Sequence, residues 1–218
     1  LHTDMISIKD FQFNMLPVNT YVVWDETKEA VVIDPGCYYP EEGEQLCTFI
    51  RSNGLNVKHL LNTHLHFDHI YGNPIVENEF GVLAEANGAD MPWLTGIRQR
   101  LAAFGIHCNV TINPIQPENI LKEGDTIAFG NTVFQVLQVP GHSPGSVVFY
   151  SRTDGVLFTG DVIFQGSIGR TDFQDGNHED LITGIRNKLM TLPDNTVIYP
   201  GHGPSTSIGY ERNHNPYI

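Results

Sequence analysis

Between residues 5 and 34 apolar and polar positions alternate or run in short apolar blocks, the pattern of β-strands. Ile6 and Ile8 alternate with Ser7 and Lys9, and the blocks Thr20–Trp24 and Ala30–Asp34 follow. Asp25-Glu26-Thr27-Lys28 between the blocks reads as a hairpin turn, and Asp34-Pro35-Gly36 ends the last strand. Over 41–53 the spacing changes to helical, with Leu46, Phe49 and Ile50 on one face and Asn53-Gly54 closing the segment. A strand is predicted at Lys58–Asn62, a short helix near 69–79, and a strand at Val82–Ala86. Met91, Leu94, Ile97, Leu101 and Phe104 recur at three- and four-residue steps and predict a helix over 88–104. The Pro- and Asn-rich stretch 105–119 reads as surface loop. Strands return at Thr132–Val139, Ser146–Ser151 and Val156–Thr159, then a helix over 178–191 with Asn177 as N-cap, then a final strand at Val197–Tyr199.

This order of strands, helices, strands, helix and strand shows no composition break. It predicts one domain over 1–218, of the α/β (α+β) kind, with mixed sheets and helices on their outer faces.

Several of the predicted strands end in the same way, in a polar loop that carries metal-capable side chains. The first is Thr63-His64-Leu65-His66-Phe67-Asp68-His69, with three imidazoles and one carboxylate in six positions. In an extended chain His64, His66 and Asp68 begin on one side, and a turn into a helix brings His69 to them. Neutral imidazole and carboxylate are ligands for borderline divalent metals. Three further loops have the form strand, glycine, ligand: Val139-Pro140-Gly141-His142, Thr159-Gly160-Asp161 and Tyr199-Pro200-Gly201-His202-Gly203. Glycine lets the backbone turn sharply there. If the strand ends are adjacent, five histidines and two aspartates meet, enough donors for two metals. His2, His59, His107, His178 and His214 have no such setting and read as structural or surface residues.

Composition narrows the classes. The 218 residues are 40% hydrophobic, enough to fill a core, and the formal net charge is -13. That charge disfavours sequence-independent nucleic-acid binding, which relies on Lys and Arg against phosphate. No apolar run approaches the ~20 residues of a membrane span, and no signal peptide is visible at the start. Cys37, Cys47 and Cys108 are too widely spaced for a disulfide framework or a thiolate zinc site, and read as buried thiols in a reducing cytoplasm.

The ordered set Thr63–His69, Pro140-Gly141-His142-Ser143-Pro144-Gly145-Ser146, Thr159-Gly160-Asp161 and Pro200-Gly201-His202-Gly203, with the early turn Asp34-Pro35-Gly36, resembles the metallo-β-lactamase-fold hydrolases. Within them it is most similar to the short glyoxalase II-like (hydroxyacylglutathione hydrolase-like) branch. The resemblance implies a four-layer αββα sandwich. It implies a first metal on His64, His66 and His142, a second on Asp68, His69 and His202, and Asp161 bridging the two. Asp34 would orient a ligand loop rather than bind metal. The resemblance further implies two divalent metal ions, zinc first with iron or manganese as alternatives. It implies hydrolysis of a small thioester by a hydroxide held between the metals, with Asp68 as catalytic carboxylate. Arg170 matches a basic residue that contacts the thiol carrier, and pairs equally well with Asp172 or Asp175 as a loop brace. The ending Ser207–Pro216 resembles the short, single-domain members, which implies a single domain without the helical region that contacts glutathione in glyoxalase II. The alternatives are a one-iron persulfide dioxygenase-like oxidoreductase of the same fold, and a non-enzymatic metal-binding protein. Oligomeric state is not legible.

Overall fold

The computed structural model describes residues 6–107 and 111–218; the expectations for His2 and Cys108 lie outside the described residues. Two sheets face each other. The first has the order β1 (Ser7–Phe13), β2 (Val18–Trp24), β3 (Glu29–Ile33), β4 (Asn56–Leu61) and β5 (Ala84–Glu85). Its first two pairings are antiparallel and its last two parallel. In chain order the remaining strands are β6 (Thr126–Phe129), β7 (Thr132–Gln138), β8 (Val147–Ser151), β9 (Val156–Gly160), β10 (Ile163–Phe164), β11 (Ser167–Ile168), β12 (Val197–Pro200) and β13 (Thr206–Ser207). The second sheet runs β13-β12-β9-β8-β7-β6, with only β12 and β9 parallel; β10 and β11 form a small hairpin.

The strand sequences account for four layers. Successive side chains point to opposite faces, and here both faces are apolar. On the first sheet Val22, Ala30, Val32 and Leu60 point outward, against α1 (Pro40–Ser52) and the helical segments that follow it. Tyr21, Val23, Val31, Ile33 and Leu61 point inward, onto Phe134, Val136, Phe149 and Phe158 of the second sheet. Val148, Tyr150 and Leu157 leave the far side of that sheet. They pack under Leu181 of α5 (His178–Gly184), Ile185 and Leu189 beyond it, and Ile208 of α6 (Ile208–His214). Strands buried on both faces read as continuous apolar runs, which is why Ala30–Ile33 and Val147–Tyr150 lack alternation. Helix, sheet, sheet, helix is the predicted sandwich.

Local breaks depart from the predicted elements. The helix near 69–79 is two: α2 (Phe67–Ile70) and α3 (Asn73–Phe80). The 88–104 helix is a 3-10 segment, Gly88–Leu94, then α4 (Ile97–Ala103). Pro92 lies in the first piece, and Gly96 between the pieces takes φ +69°, a left-handed turn an α-helix cannot contain. The Val82–Ala86 strand shortens to Ala84–Glu85, with Ala86 making a separate parallel bridge to Ile120. At the C-terminal end of α5 the helix widens into a π-turn over Ile185–Leu189. Among the described residues no helix is long and apolar enough to cross a membrane.

Candidate metal centre

All four ligand loops leave the same edge of the sandwich. His64 to His69 follow β4, His142 follows β7, Asp161 follows β9 and His202 follows β12. Two glycines make the close approach possible. Gly160 adopts φ +50°, and a side chain there would strike Thr63; a side chain on Gly201 would strike the Asp161 carboxylate and the His69 ring.

The donors form two groups. The metal-capable atoms of His64, His66 and His142 lie within 4.8 Å of one another, as do those of Asp68, His69 and His202. Asp161 lies between them: Oδ1 is 3.4 Å from His69 Nε2, and Oδ2 is 3.5 Å from His142 Nε2 and 3.6 Å from His202 Nε2. Asp68 Oδ2 is 3.3 Å from His202 Nε2 and 3.5 Å from His69 Nε2. Each group therefore takes donors from loops of both sheets.

Hydrogen bonds on the far side of each ring decide which nitrogen carries a lone pair. His142 Nδ1 is 2.8 Å from the Arg170 carbonyl, and His202 Nδ1 is 3.0 Å from the Pro17 carbonyl. A carbonyl can only accept, so both rings are protonated at Nδ1 and turn Nε2 inward. His69 Nδ1 donates to Asp34 Oδ2 at 3.0 Å with the same result. Thr63 Oγ1 gives its hydrogen to Asp34 Oδ2 at 2.6 Å and so accepts from His64 Nδ1 at 3.0 Å. His66 turns Nδ1 to His142 Nε2, 2.9 Å away, and its ring is enclosed edge-on by Trp93 and Phe173.

Asp34 bonds His69 directly and reaches His64 through Thr63 Oγ1, and the metal-capable atoms of the three lie within 4.8 Å of one another. Its oxygens, however, are occupied by Thr63 N, Thr63 Oγ1 and His69 Nδ1. It is a brace for two ligand rings, just past β3 in a left-handed conformation, φ 49°, uncommon for a non-glycine residue.

The inward atoms fit a cation. His64 Nε2, His69 Nε2 and Asp161 Oδ1 are buried and have no hydrogen-bond partner. Buried polar atoms are nearly always partnered, so a cluster of lone pairs without donors marks a place for a positive ion. Charge balance says the same. Burial and the neighbouring imidazoles hold His64 well below the ordinary imidazole value and press His66 down to about 3, so both stay neutral ligands. For His69, burial acts against charge, but Asp68, Asp161 and Asp34 outweigh it and lift the ring well above its usual value. Burial likewise opposes ionisation of Asp68 and Asp161, and the adjacent imidazoles outweigh it and keep both carboxylates ionised. The Asp68 and Asp161 side therefore draws in positive charge.

Arg170 reaches the centre through its backbone carbonyl. Its guanidinium is exposed, makes two bonds of 3.0 and 2.9 Å to Asp172, and lies over the Phe173 ring. Asp175 is not the partner. Two residues the sequence did not single out hold the site. Asp90 accepts bonds from the loops of His66 and His142. Asn14, in the β1–β2 turn, donates to the carbonyls of Gly36 and Asp68. Neither carries a spacing signal, because their partners are distant in sequence.

Comparison with known proteins agrees with this architecture. Residues 14–202 match the sequence profile of the metallo-beta-lactamase superfamily. The chain is 36% identical, over all of its own length and 98% of the relative's, to the hydroxyacylglutathione hydrolase GloC of Haemophilus influenzae. The crystal structure of the BLEG-1 B3 metallo-beta-lactamase superposes with TM-score 0.85 at 36% identity, covering 97% of this chain and 99% of that one. The di-iron-bound form of TTHA1623 superposes with TM-score 0.83 at 34% identity, covering 96% and 100%. With its donor loops at the family's sheet edge, the chain belongs to the metallo-beta-lactamase superfamily and is a metallo-hydrolase.

Proposed function

We propose that the protein hydrolyses a small thioester with a pair of divalent cations, the first on His64, His66 and His142, the second on Asp68, His69 and His202, with Asp161 common to both. The observation that carries this reading is the position of Asp161, whose two oxygens face donors of both groups. The cations, when bound, acidify a water and offset the charge that develops on a carbonyl oxygen. Zinc is the first expectation; iron and manganese accept the same donors, and the di-iron form of TTHA1623 supports iron.

The chain's own groups do the rest. Asp68 is ionised and buried between His69 and His202, placed to hold or take a proton of the attacking water. Asp34, Thr63 and the carbonyls of Arg170 and Pro17 keep the imidazoles in the ligating tautomer. A thiolate leaves readily with a pKa of ~8.5, so no protonating acid is required of the site. Trp93 and Phe173 cover the His66 side and limit water there. Arg170, exposed beside this wall, can exchange Asp172 for a substrate carboxylate of matching geometry. The relative GloC supports a glutathione thioester. The partner is a small molecule rather than nucleic acid, and the buried free thiols Cys37 and Cys47 suit a reducing cytoplasm.

Metal analysis and turnover assays test this together. Purified protein is expected to hold about two metal equivalents and to hydrolyse S-lactoylglutathione or simpler acyl thioesters. Activity should disappear with chelation and return with Zn2+, Fe2+ or Mn2+. Arg170→Ala should raise KM for an acidic thioester more than it lowers kcat. Turnover of a β-lactam without thioesterase activity, or oxygen uptake with glutathione persulfide, would replace the thioester reading.

A further inference from the structure

Asp90 is fully buried at the start of the 3-10 segment Gly88–Leu94, and among the described residues its carboxylate bonds go to two ligand loops. Oδ2 accepts from the backbone amide of Leu65, at 3.1 Å, and from Ser143 Oγ, at 2.7 Å. Oδ1 accepts from the Gly145 amide at 2.6 Å. Leu65 lies between His64 and His66, and Ser143 directly follows His142. One side chain thus ties together the two segments that supply all three donors of the first group. Among the described residues it makes no bond to Asp68, His69 or His202 themselves, although Leu65 shares its loop with Asp68 and His69. A side chain on Gly145 would collide with the Asp90 carboxyl, so the loop is shaped to receive it. Ser143 Oγ is also 2.8 Å from Ser146 Oγ, which extends the clamp along the second loop.

We infer that Asp90 is a positioning residue selective for the first cation, setting the distance between the His64–His66 loop and the His142 loop. Asp34, by contrast, braces His69 directly and His64 through Thr63, so its contacts reach both groups. A buried carboxylate serving only the general fold would weaken both groups alike. A clamp on two specific loops weakens one. The inference rests on cation binding alone and stands whether or not thioesters are the substrate.

Zn2+ titration calorimetry on the full chain separates these outcomes. In a His202→Ala background the first group is the intact one; in a His142→Ala background the second is. Adding Asp90→Asn replaces one acceptor oxygen by an amide that cannot receive an N–H. In the His202→Ala background it should weaken Zn2+ binding about 10- to 100-fold, the usual effect of losing a group that orients a ligand. In the His142→Ala background the affinity should change less than about twofold. Ser143→Ala, which deletes the hydroxyl bonds to Asp90 and Ser146 but keeps the Leu65 and Gly145 amide bonds to Asp90, should show the same selectivity with a smaller loss and serves if Asp90→Asn does not fold. Equal weakening in the two backgrounds, or an unchanged affinity in the first, overturns the inference.

Discussion

At the scale of single residues, the centre is a set of decisions about protons. Asp34 is the clearest case, since it accepts from Thr63 N, Thr63 Oγ1 and His69 Nδ1 at 2.8, 2.6 and 3.0 Å. Asp34→Ala leaves three buried donors without an acceptor, each costing about 1–3 kcal/mol. It also frees His69 to turn its proton inward. The expected outcome is a 10- to 100-fold loss of metal affinity together with a lower Tm, checked by calorimetry and thermal melts. Asp34→Asn should recover part of the stability, because its amide oxygen still accepts. The ligand side chains themselves were legible in the sequence, because each follows an apolar strand and a glycine or lies in one dense cluster. Their orienting partners were not. The carbonyls of Pro17 and Arg170 belong to the backbone and have no sequence signature, and Asp90 is one acid among 25 Asp and Glu.

At the scale of elements, local pattern succeeded where both faces of a strand are buried and failed where a loop is packed from outside. Residues 88–104 keep a helical apolar period, yet Pro92 and Gly96 lie inside it and break the helix that the period predicts. The segment folds as two short pieces, and the first presents Asp90 and Trp93 to the ligand loops. A second element-level feature is the junction of β4, β5 and β6. His59 Nδ1 is 2.6 Å from Glu85 and Nε2 is 3.0 Å from the Ala128 carbonyl, so both nitrogens face acceptors and the ring is held as a cation. Burial opposes that charge, but Glu85 and the carbonyl outweigh it and raise the pKa above the ordinary value. A raised value in the folded state stabilises fully below the unfolded pKa of about 6.5, and that contribution is lost as pH rises through the folded value. Metal-saturated wild type should therefore lose Tm from pH 6 to pH 9 more steeply than His59→Gln. Parallel pH profiles would show that the pair contributes nothing.

At the scale of the whole molecule, the fold is a mount for converging loops, and its stability depends on what they hold. Ionised Asp68 and Asp161 lie close together in a chain of net charge -13, so a cation relieves local repulsion as well as filling a gap. At a thousandfold excess over Kd, each bound ion adds about 4 kcal/mol to folding stability. For a chain of this length that corresponds to ~8–16 °C in Tm. Chelation should lower the melting temperature by at least this amount, and adding zinc back should restore it. A Tm indifferent to chelator would mean that the donors are held apart from any ion. Mixed sheets with helices on their outer faces were readable from the order of the elements, and the four-layer sandwich from the family resemblance. The exact pairing was not, since β9 lies beside β12 across an intervening helix and no local pattern encodes that neighbour.

Because the donors of each group straddle the two sheets, an ion bound there is also a clasp. A polypeptide severed between α4 and β6 would carry part of every chelate on each piece, and neither piece would retain an ion alone. With zinc supplied, each fragment would complete the other's coordination, and their pairing would tighten with the concentration of the ion.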